Sequence, residues 1–331
     1  MTVPRVQLGS LVTPAQGFGA MALAEVYGAA DDTESLATIH HAIDVGATLI
    51  DTADVYGAGR NELLVARVLA GRRDEVVLAT KFGILPEHDS DGRKVRGDAD
   101  YVRASVDASL SRLRVNEIDL YYYHRVDPRV EIEETVGALA GLVAAGKIRH
   151  IGLSEVTAAE LDRAAAVHPI AAVQSEWSIF SRDVEEHVIP AARRLGVGFV
   201  AYSPLGRGLL AAKAPGVIPD GDLRRRFPRF SPDNLAANQQ IAETVRRVAG
   251  AEGLTPAQLA LAWIYQRARS LDVVVVPIPG TRRAARVDEN LVAVGVTLSA
   301  AGIDEVNDLA VRVVGERSPD PASVSLGRER A

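Results

Sequence analysis

Cysteine is absent from the chain, which excludes disulfides, thiolate catalysis and cysteine-ligated zinc or iron-sulfur sites. No apolar run approaches the roughly 18 residues of a membrane helix. The N-terminus, Met1 to Leu8, also lacks a basic region followed by an apolar core. Cations are not in excess: the formal net charge is -6 with both signs interspersed, so no basic face suits nucleic acid or an anionic membrane. A Gly-x-Gly-x-x-Gly turn after the first strand is missing, which weakens an open dinucleotide-binding sheet. The expectation is a soluble, cytoplasmic protein whose partner is a small molecule.

What is present is a regular alternation. The 331 residues are 47% hydrophobic and show no composition break, so 1–331 reads as one domain with a large core. Val6 to Met21, broken by Gly9, Pro14, Gly17 and Gly19, suggests a hairpin leading into a strand at Gly17 to Met21. Further short apolar runs follow at Ala47 to Asp51, Glu75 to Thr80, Ile118 to Tyr123, Lys147 to Leu153, Ile170 to Val173, Gly198 to Tyr202 and Val273 to Pro277. Helical patterns separate them, with acids at the start of Ser35 to Val45, the capping-box pattern Thr157-Ala-Ala-Glu160, and a helix at Asn238 to Gly250. About eight such strand-helix units predict a closed (β/α)8 (TIM) barrel with an N-terminal β-hairpin and extra C-terminal helices. The loop from Gly83 to Asp98, with His88, Asp89 and Asp91, suits an excursion over the barrel mouth, and 316–331, polar with two prolines, a loose tail.

Three consecutive strands end in ionisable residues, namely Asp51 with Tyr56 just beyond, Lys81, and His124. Strand C-terminal ends are where such barrels carry their chemistry. A tyrosine with a pKa of about 10 is a sluggish acid near neutrality. A neighbouring ammonium would lower that value, a carboxylate would hold the ammonium charged, and a histidine would fix a substrate oxygen. The set makes a proton donor for a carbonyl oxygen, and with no thiol or evident metal site the attacking group is best supplied as hydride from a nicotinamide. Asp54 acquires no role.

The segments Asp51-Thr-Ala-Asp-Val-Tyr56-Gly, Ala79-Thr-Lys81-Phe-Gly, Ile118 to His124, Gly146 to Ser154, Ala201-Tyr-Ser-Pro-Leu-Gly206 and Ile278-Pro-Gly-Thr281 resemble the aldo-keto reductase superfamily in order and spacing, from about Val6 to Leu309. The resemblance implies a catalytic tetrad of Asp51, Tyr56, Lys81 and His124, with Tyr56 as general acid. It also implies that Ser154 and Gln174 hold the nicotinamide carboxamide, that Tyr202 stacks under the ring, and that Ser203, Leu205 and Arg207 run along the pyrophosphate. Glu155 departs from the asparagine common there. His124-Arg-Val-Asp127 and Phe180-Ser-Arg-Asp183 look most like the branch of perakine, auxin-induced-type and pyridoxal reductases. Trp177, Phe82, Arg125 and the basic-aromatic stretch Arg224 to Phe230 are candidates for pocket wall or lid, with Trp177 and Phe82 equally suited to the core.

Thr281 is a suitable N-cap, yet Arg282, Arg283 and Arg286 crowd the positive end of the helix it opens, so an anion belongs there. Arg282 and Arg286 share a helix face and can bracket one phosphate beside backbone N–H groups, including those around Gly280. The resemblance assigns this region, with Arg286, Glu289 and Asn290, to an adenosine 2'-phosphate, hence NADPH/NADP+ in preference to NADH. The alternative is solvated arginines paired with Asp288 or Glu289. The functional expectation is an NADPH-dependent reductase of a small aldehyde or ketone. A cofactor-binding regulatory subunit of the same fold is the alternative, and a metal-dependent hydrolase lacks clustered ligands.

Overall fold

The computed structural model describes residues 3–86, 92–212 and 216–330; His88, Asp89 and Asp91 lie outside them. A hairpin of β1 (Arg5–Leu8) and β2 (Leu11–Pro14) precedes eight parallel strands. These are β3 (Phe18–Gly19), β4 (Leu49–Asp51), β5 (Val77–Phe82), β6 (Ile118–Tyr123), β7 (Ile148–Ser154), β8 (Ile170–Glu176), β9 (Gly198–Tyr202) and β10 (Val275–Pro277), each beside its neighbour in the chain. Gly17 N donates to Pro277 O at 3.0 Å and Gly19 N to Pro279 O at 3.5 Å, which joins the first strand to the last. That seam is tight: a Cβ on Gly19 would lie 2.7 Å from Ile278 O, and one on Gly280 2.5 Å from Gly19 O. Only glycine lets the two backbones meet so closely.

Helices α1 (Asp32–Asp44), α2 (Arg60–Arg72), α3 (Ala99–Leu113), α4 (Ile132–Ala144), α5 (Ala158–Val167), α6 (Val188–Leu195), α7 (Pro232–Ala251), α8 (Pro256–Ser270) and α9 (Ala284–Val292) alternate with the strands or follow them. Two further helices, α10 (Ala300–Asn307) and α11 (Ser325–Glu329), end the chain. The caps follow the sequence pattern. Asp31 accepts from Glu34 N at 2.8 Å, and Thr157 and Glu160 form a full capping box.

Strand side chains alternate between the lumen and the helices. Leu49, Ala79, Leu120, Tyr122, Ala172 and Val200 point inward and cluster with Leu8 and Leu11, so the hairpin plugs the barrel floor. Two residues beyond an inward position comes another. Asp51, Lys81, His124, Gln174 and Tyr202 stand in that relation to Leu49, Ala79, Tyr122, Ala172 and Val200. Parity alone therefore brings the polar strand ends to one mouth.

The same parity settles the aromatic candidates. Phe82, next to Lys81, is fully buried on the outer side and stacks on Tyr121 and Tyr123 at 5.0 and 5.3 Å. Trp177 follows an inward glutamate and packs edge-on to Phe199 and Trp263 at 5.3 and 6.3 Å. Both are core residues.

Three expectations change. The first barrel strand is shorter than Gly17 to Met21, because Ala20–Leu23 turns into a 3-10 helix. The α7 helix begins at Pro232 rather than Asn238: Ser231 caps it by accepting from Asn234 N, and proline opens its first turn. The segment after Gly315 is docked instead of loose. Arg317 and Ser325 are buried, Arg328 pairs with Glu160 at 2.9 Å, and Glu329 accepts from Ala158 N at 2.6 Å. A polar segment becomes ordered when buried acids on the barrel need cations.

Leu8 fills the barrel floor with no exposure, and a Cβ on Gly198 would touch it. Leu8→Ala is expected to lower stability by about 2–5 kcal/mol in urea unfolding, as for a large-to-small change in a closed core. A loss below about 0.5 kcal/mol would show that the hairpin does not seal the barrel.

Candidate active site

Lys81 and Asp51 sit on adjacent strands of the mouth, both almost fully buried. Lys81 Nζ donates to Asp51 Oδ1, to Thr52 O at 2.7 Å and to Tyr56 Oη at 3.5 Å. The three ammonium hydrogens are thereby used. From across the barrel, Gln174 Nε2 donates to the other Asp51 oxygen at 2.9 Å. Tyr56 lies in the turn after β4, and its ring stands edge-on to His124 with centroids 6.0 Å apart. The chain reaches His124 in register because its N–H donates to Phe82 O at 2.8 Å.

Burial disfavours the Lys81 ammonium, but Asp51 and Tyr56 override it and hold its pKa above the ordinary lysine value. Burial also raises the Tyr56 phenol above its usual 10; Lys81 opposes this and Asp51 adds to it. The expected lowering by the ammonium is thus outweighed by burial, with Asp51 adding to the rise. Burial, then the charges of Arg125 and Lys81, push His124 well below the usual 6.5. The resting mouth holds a protonated phenol, a charged lysine and a neutral imidazole whose Nδ1 is buried without a partner.

Ser154 and Gln174, register partners in β7 and β8, line the same mouth. Arg125 closes over Ser154, donating to Ser154 Oγ at 3.2 Å and His124 O at 2.6 Å. Tyr202 is half-buried, with its hydroxyl donating to Glu155 Oε1 at 2.7 Å. Glu155 itself has a left-handed backbone at φ 56°, as do Ser203 at 47° and Arg207 at 53°. Such strain costs about 1–3 kcal/mol per residue and collects at ligand sites.

Ser203, Leu205 and Arg207 leave β9 along the rim, but Arg207 has a protein partner: it donates to Glu176 Oε2 at 2.9 Å and stacks on Phe227 at 4.1 Å. Arg229 donates to the other Glu176 oxygen at 3.2 Å and to Ser181 Oγ at 2.6 Å. Arg224 lies over the Tyr27 ring at 5.2 Å, and Leu223 N donates to Val26 O at 2.9 Å. The basic-aromatic segment therefore bridges the rim from the β9 side to the β3 side and is fastened at both ends.

At α9 the cap differs from expectation. Arg283 is the N-cap without a side-chain bond, and Thr281 instead accepts from Arg283 N at 3.1 Å. Arg282 donates to Gly28 O at 3.2 Å and to Ala29 O. Asp288 pairs with His41 at 2.7 Å. Arg283 and Arg286 pair with no acid among the described residues. Asn290 and Thr281 are buried beside them, Gly280 is exposed, and Glu289 is half-buried with its carbonyl accepting from Gln258. An uncapped helix end with unpaired cations fits an anion, and the half-buried Tyr202 with Ser154 and Gln174 fits an aromatic amide. The mouth therefore suits a nicotinamide dinucleotide.

Arg317 and Glu176, which lie at the site, have no role in the sequence reading, and Arg229 enters it only as part of the basic-aromatic stretch. The available signal was Glu155 and Glu176, acids at the ends of apolar strands that must find cations. Asp54 is also more than a loop residue: burial, then Glu62, raises its pKa to about 7, and its Oδ1 is buried without a partner.

For His124 the folded pKa is depressed, so below about 6.5 the unfolded chain binds a proton that the folded chain refuses. The stability of wild type relative to His124→Gln should fall as pH drops from 7 to 5, by at most about 1.4 kcal/mol per pH unit. A difference independent of pH in urea titrations would mean that His124 is not held neutral.

The aldo/keto reductase family model matches residues 16–311. Among solved structures, the chain is 30% identical to the glycerol dehydrogenase from Gluconobacter oxydans, with a TM-score of 0.81 over 95% of this chain and 96% of that one. It is 27% identical to the holo form of an aldo-keto reductase from Bacillus halodurans, with a TM-score of 0.75 over 96% and 100% of the two chains. A thermostable aldo-keto reductase in complex with epalrestat is 27% identical, with a TM-score of 0.72 over 92% and 99%. A family match across most of the chain, on a barrel of eight parallel strands, makes this protein a member of the aldo/keto reductase family.

Proposed function

We propose that the protein is an NADPH-dependent carbonyl reductase in which Tyr56 protonates the carbonyl oxygen of an aldehyde or ketone. One observation carries this reading: the Tyr56 oxygen accepts from Lys81, which leaves the phenol's own hydrogen free to donate to a substrate. When bound, a nicotinamide supplies hydride to the carbonyl carbon. Negative charge then grows on the oxygen, and Tyr56 transfers its proton there. The tyrosinate that remains is stabilised by Lys81 and regains a proton from water. Neutral His124 orients the same oxygen by hydrogen bonding. Asp51, held by Gln174, keeps Lys81 charged and does not exchange a proton itself.

In this reading Ser154 and Gln174 meet the carboxamide and Tyr202 lies under the ring. Ser203 and Leu205 border the dinucleotide. Arg207, already neutralised by Glu176, shapes that border more than it binds phosphate. For the 2'-phosphate, Arg286 is the cation available and Arg282 adds to the field, with Asn290 and Glu289 beside them. The His124-Arg-Val-Asp127 and Phe180-Ser-Arg-Asp183 motifs support the branch of perakine and pyridoxal reductases, whose substrates are varied carbonyl compounds. No helix of the described residues is long and apolar enough to cross a membrane, which is compatible with action in the cytoplasm.

Turnover of an aromatic aldehyde, followed at the NADPH absorbance, tests the activity. Tyr56→Phe should lower kcat by roughly 10²–10⁴-fold while leaving cofactor affinity nearly unchanged; full activity in that variant would overturn the mechanism. Arg282→Ala combined with Arg286→Ala should raise the KM for NADPH roughly tenfold or more, the value of a lost charged hydrogen bond, and barely move that for NADH. Equal effects on both would reject the phosphate site.

A further inference from the structure

Glu155 follows β7 at the mouth, where the family resemblance leads one to expect an asparagine facing the nicotinamide amide. Its carboxylate has no capacity left for that contact. Oε1 accepts from Tyr202 Oη at 2.7 Å, Glu176 N at 3.2 Å and Arg317 at 2.9 Å. Oε2 accepts from Arg317 at 2.8 Å and from Ser325 N and Oγ at 3.1 Å each. Arg317 is itself buried and divides its guanidinium between Glu155 and Asp183, the latter at 2.9 Å.

Resting on the reading of the mouth as a nicotinamide site, we propose that Arg317 is a positioning residue: it holds Glu155 so that Glu155 fixes the Tyr202 ring as the platform for the nicotinamide. The chain after Gly315 thereby becomes part of the cofactor site by acting through Glu155. The hydroxyl is the only polar handle on the Tyr202 ring. Tied to a saturated carboxylate, it cannot swing, and the Arg207 guanidinium limits the ring from another side at 6.0 Å. Without Arg317, Glu155 is a buried and unpaired charge, which must take up a proton or water. Either change weakens the acceptor that Tyr202 meets and releases it from its fixed position. The strained backbone of Glu155 is explained as well, because it aims the side chain at the tail instead of into the mouth.

The test measures, by calorimetry, the Kd for NADPH and for 2'-phospho-ADP, which lacks the nicotinamide and reaches only the anion end. Arg317→Met should weaken NADPH binding roughly tenfold, the worth of one lost hydrogen bond to a charged group, and leave 2'-phospho-ADP binding unchanged. Arg317→Lys, which keeps the charge, should recover part of the loss. Tyr202→Phe should reproduce the selective loss while the tail stays as resistant to limited proteolysis as in wild type. It carries the test by itself if Arg317→Met does not fold. Equal weakening of both ligands, or none, would overturn the proposal. Wild-type protein that binds 2'-phospho-ADP but gains nothing from the nicotinamide would instead refute the reading of the mouth on which it rests.

Discussion

Lys81 holds an ammonium inside the barrel mouth, where an unpaired charge would cost several kcal/mol. Everything near it serves to make that charge tolerable. Asp51 neutralises it from the next strand, Thr52 offers a carbonyl, and Gln174 fixes the carboxylate from the far side of the barrel. A buried ion pair is a weak source of stability, and apolar side chains of the same volume often do as well or better. Its presence at this place therefore points to chemistry rather than to folding. The pair also constrains the tyrosine: with its oxygen accepting from Lys81, Tyr56 can donate only away from the pair.

Two other acids at strand ends pose the same electrostatic problem and solve it differently. Glu176 takes Arg207 and Arg229, from the segment after β9, and Glu155 takes Arg317 from near the C-terminus. The Asp51–Lys81 pair is closed within two neighbouring strands, whereas these cations arrive only when distant chain folds onto the rim. Burial works against the Glu155 charge, yet Arg317 draws its carboxyl far below the usual range. The rim is thus assembled late in the chain and by charge, around a lumen assembled by apolar parity. Asp54 pairs with no cation among the described residues, and burial, then Glu62, raises its pKa to about 7 against the charges of Arg112 and Lys81.

Much of this was legible in the residues. Apolar runs that each ended in a polar group showed the strands, and a two-residue period placed Asp51, Lys81 and His124 on one face. That period also contained the answer for Phe82, whose neighbour Lys81 points inward, although composition left it open between pocket and core. The start of α7 was hidden because Ser231-Pro232 continues a basic, aromatic stretch that reads as loop. The docking of the tail was hidden for a deeper reason. Nothing in Ser318-Pro-Asp-Pro321 suggests order; the order comes from Glu155, 162 positions before Arg317, and a contact at that separation leaves no periodicity to read.

The charge states of the mouth also fit the direction of the proposed reaction. Lys81 is balanced by Asp51, His124 is neutral, and Tyr56 is protonated, so these four groups together carry little net charge. A neutral carbonyl enters such a site without paying for the desolvation of an ion. Only as the oxygen becomes anionic does it meet a preformed donor backed by an ammonium, so the interaction strengthens along the reaction and not before it. If His124 were charged, or Tyr56 ionised at rest, the site would prefer the wrong state. Burial, the same effect that makes Lys81 so demanding of partners, keeps both groups in the useful form.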